Sequence, residues 1–190
     1  MEQLKQAIME KGVISGVDVL KVDSFLNHQI DPQLMNEIGL AFAERFADCG
    51  VTKVMTIETS GIAPAIFTGL HLGVPLLFAK KTKSITLDRR TYETKVLSFT
   101  KRKEYRIVVE QAYLTEADTV LLIDDFLAEG QALRGLIEII EQAGATLCGA
   151  GIVIEKGFQH GGDRLREKGY RIESLAIIES MANHRIVFRD

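Results

Sequence analysis

The sequence predicts an α/β fold in which a central five-stranded parallel sheet is flanked by helices. Five short runs of apolar, largely β-branched residues are spread along the chain, and most are separated by stretches with helical periodicity. Consecutive residues within each run are apolar, which is typical of strands buried on both faces of a parallel sheet. The predicted strands span residues 51–57, 74–79, 119–123, 146–154 and 170–178. Their alternation with helices implies an open sheet with right-handed crossovers.

Helices are predicted before the first strand and between most of the others. The longest is expected over 31–48, because Asp31 can cap its amino end and Pro32 suits its first turn. Its apolar residues recur at helical spacing and predict a face packed on the core: Leu34, Met35, Ile38, Phe42 and Phe46. Further helices are expected over about 62–72, up to about Ala143, and over 163–168.

The segment 80–114 interrupts this alternation. Between Lys80 and Arg106 the chain carries ten basic residues against three acids, a net charge of +7 in a chain whose net charge is −3. Residues 95–100 and 105–111 alternate with the period of a strand, which predicts a basic hairpin. Because the positive charge is confined to this segment, it favours the binding of an anionic ligand over a surface that wraps nucleic acid. A hairpin whose charges are simply solvated is the alternative.

Length and composition exclude several classes of protein. The 190 residues fit one domain, 1–190, and the hydrophobic fraction of 46% suffices for a substantial core. No apolar run reaches the roughly 18 residues of a membrane span, and the first residues lack the apolar core of a signal peptide. We therefore expect a cytoplasmic protein without a membrane partner. Cys49 and Cys148 follow no metal-binding spacing, so free thiols are expected rather than a zinc site.

The strongest functional signal is a pair of adjacent carboxylates at the end of a buried strand. Asp124 and Asp125 follow the apolar run 120–123, and a turn of mostly small residues, 128–132, then opens a helix. In open parallel sheets, ligands bind at the carboxyl ends of strands, where helix N-termini offer free N–H groups to phosphate. Carboxylates beside a phosphate site suit a sugar phosphate, because they accept hydrogen bonds from ribose hydroxyls. The alternative is an acidic pair that only caps the helix.

This loop resembles the signature of the type I phosphoribosyltransferases, which bind phosphoribosyl diphosphate (PRPP). Three further segments resemble the same family. The run Glu58-Thr59-Ser60-Gly61 resembles its diphosphate-binding loop, the basic segment its mobile catalytic loop, and residues 20–30 the base-binding hood of bacterial xanthine phosphoribosyltransferases. The resemblance covers nearly the whole chain. It implies the type I phosphoribosyltransferase fold, a hood made of residues 1–50 and about 155–170, and a mobile loop over 80–114.

The resemblance also implies a reaction, in which N9 of xanthine displaces diphosphate from C1 of the ribose to give XMP for purine salvage. Catalytic roles fall to the ribose-binding carboxylates and to lysines beside the diphosphate: Asp124, Asp125, Lys80 and Lys81, with Lys83 a weaker candidate. The other PRPP contacts are expected from two loops: Thr59, Ser60, Gly61, Ala128, Glu129, Gly130, Gln131 and Ala132. Mg²⁺ is expected to arrive with PRPP, without a site made by protein alone. Lysines that only face solvent are the alternative.

The resemblance places the base against Leu20, Asn27 and Lys156. A lysine only donates hydrogen bonds, so Lys156 suits O6 and N7 of an oxopurine and disfavours the amino group of adenine. Asn27 both donates and accepts, which suits the O2/N3 edge that distinguishes xanthine from hypoxanthine. Phe158 is a candidate for stacking on the base, with packing in the core as the alternative.

The phosphate loop departs from the family pattern. Most members carry threonines where this chain has residues 128–132, so phosphate binding is expected to rest on backbone N–H groups and Gln131. A carboxylate that faced the phosphate would repel it. We therefore expect Glu129 to point to solvent and a change of its charge to have little effect.

The sequence leaves two other functions open. A related enzyme would prefer guanine or hypoxanthine, and a regulator of the same fold would sense PRPP and bind RNA or DNA. The segment before the first strand resembles the hood rather than a nucleic-acid-binding module, so the enzyme is favoured and no nucleic-acid partner is expected. Members of the family are typically homodimers, which implies a homodimer here.

Overall fold

A sheet of eight strands forms the centre of the protein, in a computed structural model that describes residues 1–16, 18–82, 90–98, 103–182 and 185–189. The strands within these residues are β1 (Val13–Ser15), β2 (Val19–Lys21), β3 (Lys53–Ile57), β4 (Leu76–Thr82), β5 (Thr91–Ser98), β6 (Lys103–Glu110), β7 (Thr119–Leu127), β8 (Thr146–Lys156), β9 (Ile172–Ser180) and β10 (Val187–Phe188). β1 and β2 pair with each other, and the other eight follow the order β10-β9-β8-β7-β3-β4-β6-β5.

The five predicted parallel strands are confirmed as the middle of this sheet. β9, β8, β7, β3 and β4 lie side by side, each parallel to its neighbour. Adjacent residues of β3, Val54 and Met55, pack into cores on opposite faces, which explains why whole runs are apolar.

The sheet is wider than the sequence predicts, because three antiparallel strands extend its edges. β10 pairs with β9 at one edge, and the predicted basic hairpin, β5 and β6, pairs with β4 at the other. The hairpin is therefore part of the sheet. Residues 83–89 and 99–102, including Lys83, lie outside the described residues, so the mobile loop over 80–114 stays a prediction.

Five α-helices occur in the described residues: α1 (Glu2–Lys11), α2 (Pro32–Arg45), α3 (Ile62–Leu72), α4 (Gln131–Gln142) and α5 (Gly161–Glu167). Buried residues of α1, α2 and α3 join the core on one face of the sheet, and those of α4 and α5 join the core on the other. The predicted cap of α2 is confirmed, since Asp31 Oδ1 accepts the N–H groups of Gln33 and Leu34 at 3.1 and 3.2 Å. None of these helices is long and apolar enough to cross a membrane.

The chain reverses its direction of winding between β3 and β7. These neighbouring strands lead into helices on opposite faces of the sheet, α3 after β3 and α4 after β7. A crevice opens at the carboxyl ends of strands at such a switch point. The two segments singled out by the sequence, 58–61 and 124–132, both lie at this edge.

Candidate active site

A cleft of about 460 Å³ lies at the carboxyl ends of β7 and β8. The predicted residues that line it are Asp124, Lys156 and all five residues of the loop 128–132. Asp18 and Val19, from the turn into β2, form part of its wall, and Tyr105 of the basic hairpin forms another part. The cleft thus lies where the amino-terminal segment, the sheet and the hairpin meet.

The two adjacent carboxylates occupy different environments. Asp124 is only 5% exposed, and its Oδ1 accepts the backbone N–H of Asp125 at 3.0 Å. Burial, and then the charge of Asp125, raise the pKa of Asp124 well above its usual value, and burial also raises the pKa of Asp125. A buried carboxylate is costly unless hydrogen bonds compensate it. Hydroxyl groups of a bound sugar would supply such bonds.

The predicted diphosphate loop packs directly against this pair. A Cβ atom on Gly61 would lie 2.1 Å from Oγ1 of Thr56 and 3.1 Å from Oδ1 of Asp124, so this approach requires glycine. Glu58 Oε1 accepts the backbone N–H of Lys81. This bond ties the end of β3 to β4 and gives Glu58 a structural role.

Of the two lysines predicted at the diphosphate, the structure brings Lys81 to the carboxylates. Its Nζ lies 5.5 Å from the centroid of the Tyr105 ring, and its charge partly offsets the burial that raises the pKa of Asp124. Lys80 precedes it in β4 and therefore projects to the opposite face of the sheet.

The phosphate loop leads into α4 through Gly130, whose φ of +81° favours glycine. No side chain caps this helix, so the N–H groups of its first turn are available to a phosphate. Glu129 does not point freely into solvent, and that prediction is wrong. Its Oε2 lies 2.5 Å from Nη2 of Arg164. Because Arg164 lies on α5, far along the chain, local sequence carries no sign of this ion pair.

Of the three residues predicted to contact the base, Lys156 alone lines the cleft within the described part of the chain. Its Nζ donates to the carbonyl oxygen of Asp18 at 2.7 Å, and burial lowers its pKa. Leu20 is 5% exposed and packs in the core, and Asn27 is exposed at the end of a π-helical turn, Asp23–Asn27.

Sequence reasoning missed two aromatic residues of the cleft. Phe126 lines it and lies 5.6 Å from Lys156 Nζ, measured to the ring centroid, whereas Phe158 packs against the core. Burial, and then the charge of Asp124, raise the pKa of Tyr105. The strand period gives no signal for Phe126, because Leu122 packs in the core on one face of the sheet and Phe126 against the core on the other, so the alternation breaks within β7.

Asp124 and Asp125 are the acidic side chains of this site that could contact a metal ion. No group of three or more His, Cys, Asp or Glu side chains in the described residues could hold one. The oxygens of Asp124 and Asp125 are of the type that Mg²⁺ prefers. The carboxylate pair therefore suits Mg²⁺ only as a partner of other oxygen ligands.

Comparison with known proteins settles the family. Residues 27–183 match the family model described as a phosphoribosyl transferase domain. The chain belongs to the phosphoribosyltransferase family. This confirms the family predicted from the Asp124-Asp125 loop.

Two similar relatives are named xanthine phosphoribosyltransferase. The protein from Oceanobacillus iheyensis is 54% identical over 190 residues, which cover 100% of this chain and 98% of the relative. The protein from Listeria innocua is 56% identical over 188 residues, which cover 99% of this chain and 98% of the relative. The likeness therefore extends over nearly the whole of both chains, including the amino-terminal segment.

Solved structures confirm the type I phosphoribosyltransferase fold. The adenine phosphoribosyltransferase of Rhodothermus marinus has a TM-score of 0.74 and 22% identity, covering 93% of this chain and 97% of its own. The Giardia lamblia APRTase complexed with 9-deazaadenine also has a TM-score of 0.74 and 22% identity, covering 92% of this chain and 96% of its own. At this identity the likeness concerns the fold alone.

Proposed function

We propose that this protein is an enzyme that transfers the 5-phosphoribosyl group of PRPP to N9 of xanthine, giving XMP and diphosphate for purine salvage. The observation that carries the proposal is the identity of 54% and 56%, over nearly the full length, to proteins named xanthine phosphoribosyltransferase. The cleft supports it, because a phosphate loop, a carboxylate pair and a lysine donor line or adjoin one space.

In this enzyme the chain holds the sugar from both ends. The 5′-phosphate binds the free N–H groups at the start of α4, and Gln131 adds a side-chain donor. Asp124 and Asp125 accept hydrogen bonds from the ribose hydroxyls. Held in this way, C1 of the ribose faces the incoming base, which reduces the entropic part of the barrier.

The leaving diphosphate needs positive charge and hydrogen-bond donors. Lys81 and the backbone of residues 59–61 adjoin the carboxylate pair and supply both. Negative charge grows on the diphosphate as its bond to C1 breaks, so these groups stabilise the transition state more than the bound substrate. Lys80 lies on the other face of β4, so it could contact the diphosphate only if the conformation of this strand changed.

We propose that Asp124 and Asp125 would hold Mg²⁺ together with oxygens of PRPP. When bound, Mg²⁺ neutralises part of the diphosphate charge. The two carboxylates then serve chiefly to orient the ribose hydroxyls. Burial raises the pKa of both carboxyls, so the protein alone stabilises their negative charge poorly. A cation bound beside them is therefore favourable.

The base binds between Lys156 and the amino-terminal part of the hood. Lys156 exchanges its bond with the Asp18 carbonyl for one with O6 or N7 of the purine, and Phe126 offers an aromatic face nearby. Leu20, the buried residue of β2, supports this wall rather than touching the base. A contact with Asn27 requires the hood to move towards the cleft.

We also propose a homodimer and a cytoplasmic location. Leu40 of α2 and Ile66 and Leu70 of α3 are 43%, 51% and 66% exposed, on two helices that cross closely at Gly39. Large exposed apolar side chains on adjoining helices favour a protein interface. Cys49 and Cys148 are free thiols, which fits a reducing compartment.

The decisive experiment is a Mg²⁺-dependent assay of PRPP with xanthine, guanine, hypoxanthine and adenine in parallel, for the wild type and Lys156→Gln. We expect the highest kcat/KM with xanthine. We expect Lys156→Gln to lower it by roughly 10–100-fold, because a buried oxo group loses its charged donor. A preference for guanine or hypoxanthine would retain the chemistry and refute the substrate. No turnover of any purine would refute the enzyme and make salt-dependent RNA binding the next measurement.

The pH dependence tests the charge of Lys156. The ammonium donor is present below its pKa and lost above it, so kcat/KM for xanthine should fall as the pH rises through that pKa. Burial lowers the pKa of Lys156, so the fall should begin below the value of about 10.4 of an ordinary lysine. Lys156→Arg should move this fall to higher pH. If the pH profile of kcat/KM is unchanged in both Lys156→Arg and Lys156→Gln, the charge effect is excluded.

A further inference from the structure

The phosphate loop contains an acid that phosphate binding does not require. Glu129 lines the cleft and stands between Ala128 and Gly130. Gly130 occupies the N-cap position of α4. A carboxylate so close to a phosphate raises the cost of binding it, because like charges repel across a partly buried site. The chain therefore needs some means of offsetting this charge.

Arg164 supplies the opposite charge. Its Nη2 lies 2.5 Å from Oε2 of Glu129, and the two side chains are 40% and 33% exposed. The neighbouring charged groups of this region have other partners. Asp163 pairs with Arg189 and Arg166, and Arg166 binds the buried Glu155 through two bonds of 2.9 and 2.6 Å.

The packing of α5 holds Arg164 at this distance. A Cβ atom on Gly161 would lie 1.9 Å from the carbonyl oxygen of Ala128, so the first turn of α5 touches the loop backbone. On the next turn, Leu165 Cδ1 would lie 3.2 Å from a Cβ atom on Gly130. The guanidinium is thus carried by a helix fitted to the phosphate loop rather than by a free side chain on the surface.

We propose that Arg164 is a positioning residue for PRPP, which neutralises Glu129 and draws its carboxylate away from the 5′-phosphate. This inference rests on the proposed function, because it takes the loop 128–132 as the phosphate site. Arg164 acts through Glu129 and does not touch the substrate. Its removal harms binding only while the Glu129 charge remains.

The test is a double-mutant cycle with Arg164→Gln, Glu129→Gln and the combination of both. PRPP KM and kcat are measured in the xanthine assay, and the Kd of ribose 5-phosphate is measured by calorimetry. We expect Arg164→Gln to raise KM and Kd roughly three- to tenfold with little change in kcat, because the pair is only partly exposed and the phosphate carries up to two charges. Glu129→Gln should not raise either value.

The combined variant separates electrostatics from structure. If Arg164 acts by neutralising Glu129, the double variant returns KM and Kd to within about twofold of the wild type. The effect of Arg164→Gln should also shrink in high salt, since part of the pair is open to solvent. Lys168→Gln is the matched control, because it removes one exposed positive charge next to the same helix and should leave both values unchanged.

Each outcome decides the inference. A wild-type KM in Arg164→Gln, or a double variant as weak as Arg164→Gln, overturns it. If the wild type binds ribose 5-phosphate without turnover of any purine, the proposed enzyme is wrong, and the order of Kd values alone decides the role of Arg164. If the wild type turns over no purine and binds no ribose 5-phosphate, both proposals are wrong.

Discussion

Asp124 shows how a single residue trades stability for function. Its carboxyl is buried at the end of β7, and this burial raises its pKa well above the usual value. At neutral pH, ionisation of such a group opposes folding, because the charge is better solvated in the unfolded chain. A bound ribose relieves this cost with hydrogen bonds, so the site is least favourable when empty.

We expect Asp124→Asn to stabilise the substrate-free protein by roughly 1–3 kcal/mol at pH 8, and to abolish most of the activity. Folding raises the pKa of Asp124, so the protonated carboxyl is favoured in the folded state and the ionised carboxyl opposes folding. The contribution of Asp124 to stability is therefore lost as the pH rises through the folded pKa. The gain from Asp124→Asn should therefore shrink at pH 5. Calorimetric Tm values at the two pH values measure it, at about 2–4 °C per kcal/mol.

Asp118→Asn is the control of opposite sign. Hydrogen bonds from Thr115 and Lys53 outweigh the burial of Asp118 and lower its pKa, and Lys53 Nζ lies 3.0 Å away. A lowered pKa stabilises the fold above the unfolded value, so Asp118→Asn should lower Tm at pH 8. An Asp124→Asn protein that also lost stability at pH 8 would contradict the cost assigned to the buried charge.

At the scale of elements, the fit between α5 and the phosphate loop sets the geometry of the site. Gly161 and Gly162 bring the start of α5 against Ala128 and against the buried Glu155. The predicted helix over 163–168 begins two residues earlier, at Gly161, because these glycines allow close packing. Neither glycine has the left-handed φ, so the constraint is space rather than backbone conformation.

We expect Gly161→Ala to push α5 and the loop 128–132 apart. The new methyl group cannot fit 1.9 Å from a carbonyl oxygen, so overpacking should cost about 1–3 kcal/mol. The displaced loop should raise the KM for PRPP roughly tenfold. Denaturant unfolding and steady-state kinetics measure the two effects.

Gly50→Ala separates loss of stability from loss of binding. Gly50 has a φ of +63° and open space around it, at the amino-terminal side of β3, away from the cleft. Alanine there strains the backbone and should destabilise the protein without changing the KM for PRPP. An equal rise in KM in both variants would show that general destabilisation, not the position of the loop, governs binding.

At the scale of the whole molecule, an exposed apolar surface lies on two adjoining helices, α2 and α3. Leu40, Ile66 and Leu70 flank the crossing of α2 and α3, where Gly39 lets the backbone of Phe67 approach. We expect the wild type to be a dimer in light scattering. Leu70→Glu should weaken dimerisation at least tenfold, about 1.4 kcal/mol, because a charge would be buried at the interface.

Val187→Glu is the matched variant on another surface. Val187 is 51% exposed and lies in β10, an edge strand of the sheet. Three strands separate β10 from β3, the strand that leads into α3. Val187→Glu should leave the dimer intact. A monomeric wild type, or dissociation by Val187→Glu but not by Leu70→Glu, would exclude the α2–α3 surface.

The sequence by itself determined the parallel centre of the fold and the principal acids of the site. Strands buried on both faces are apolar throughout, so their signal is local, and Asp124 and Asp125 are conspicuous because they end such a run. The three antiparallel edge strands carry a weaker pattern. Pairing of β6 with β4, and of β5 with β6, depends on contacts that no single segment specifies.

Tertiary structure alone decided which side chains share the cleft. It separated Lys81 from Lys80 by the pleat of β4, placed Leu20 in the core, and brought Phe126 to Lys156. It also joined two charges that lie 35 residues apart, those of Glu129 and Arg164. The physical reason is common to all of these: side-chain contacts between distant segments depend on how helices and strands pack, and packing is a property of the whole chain.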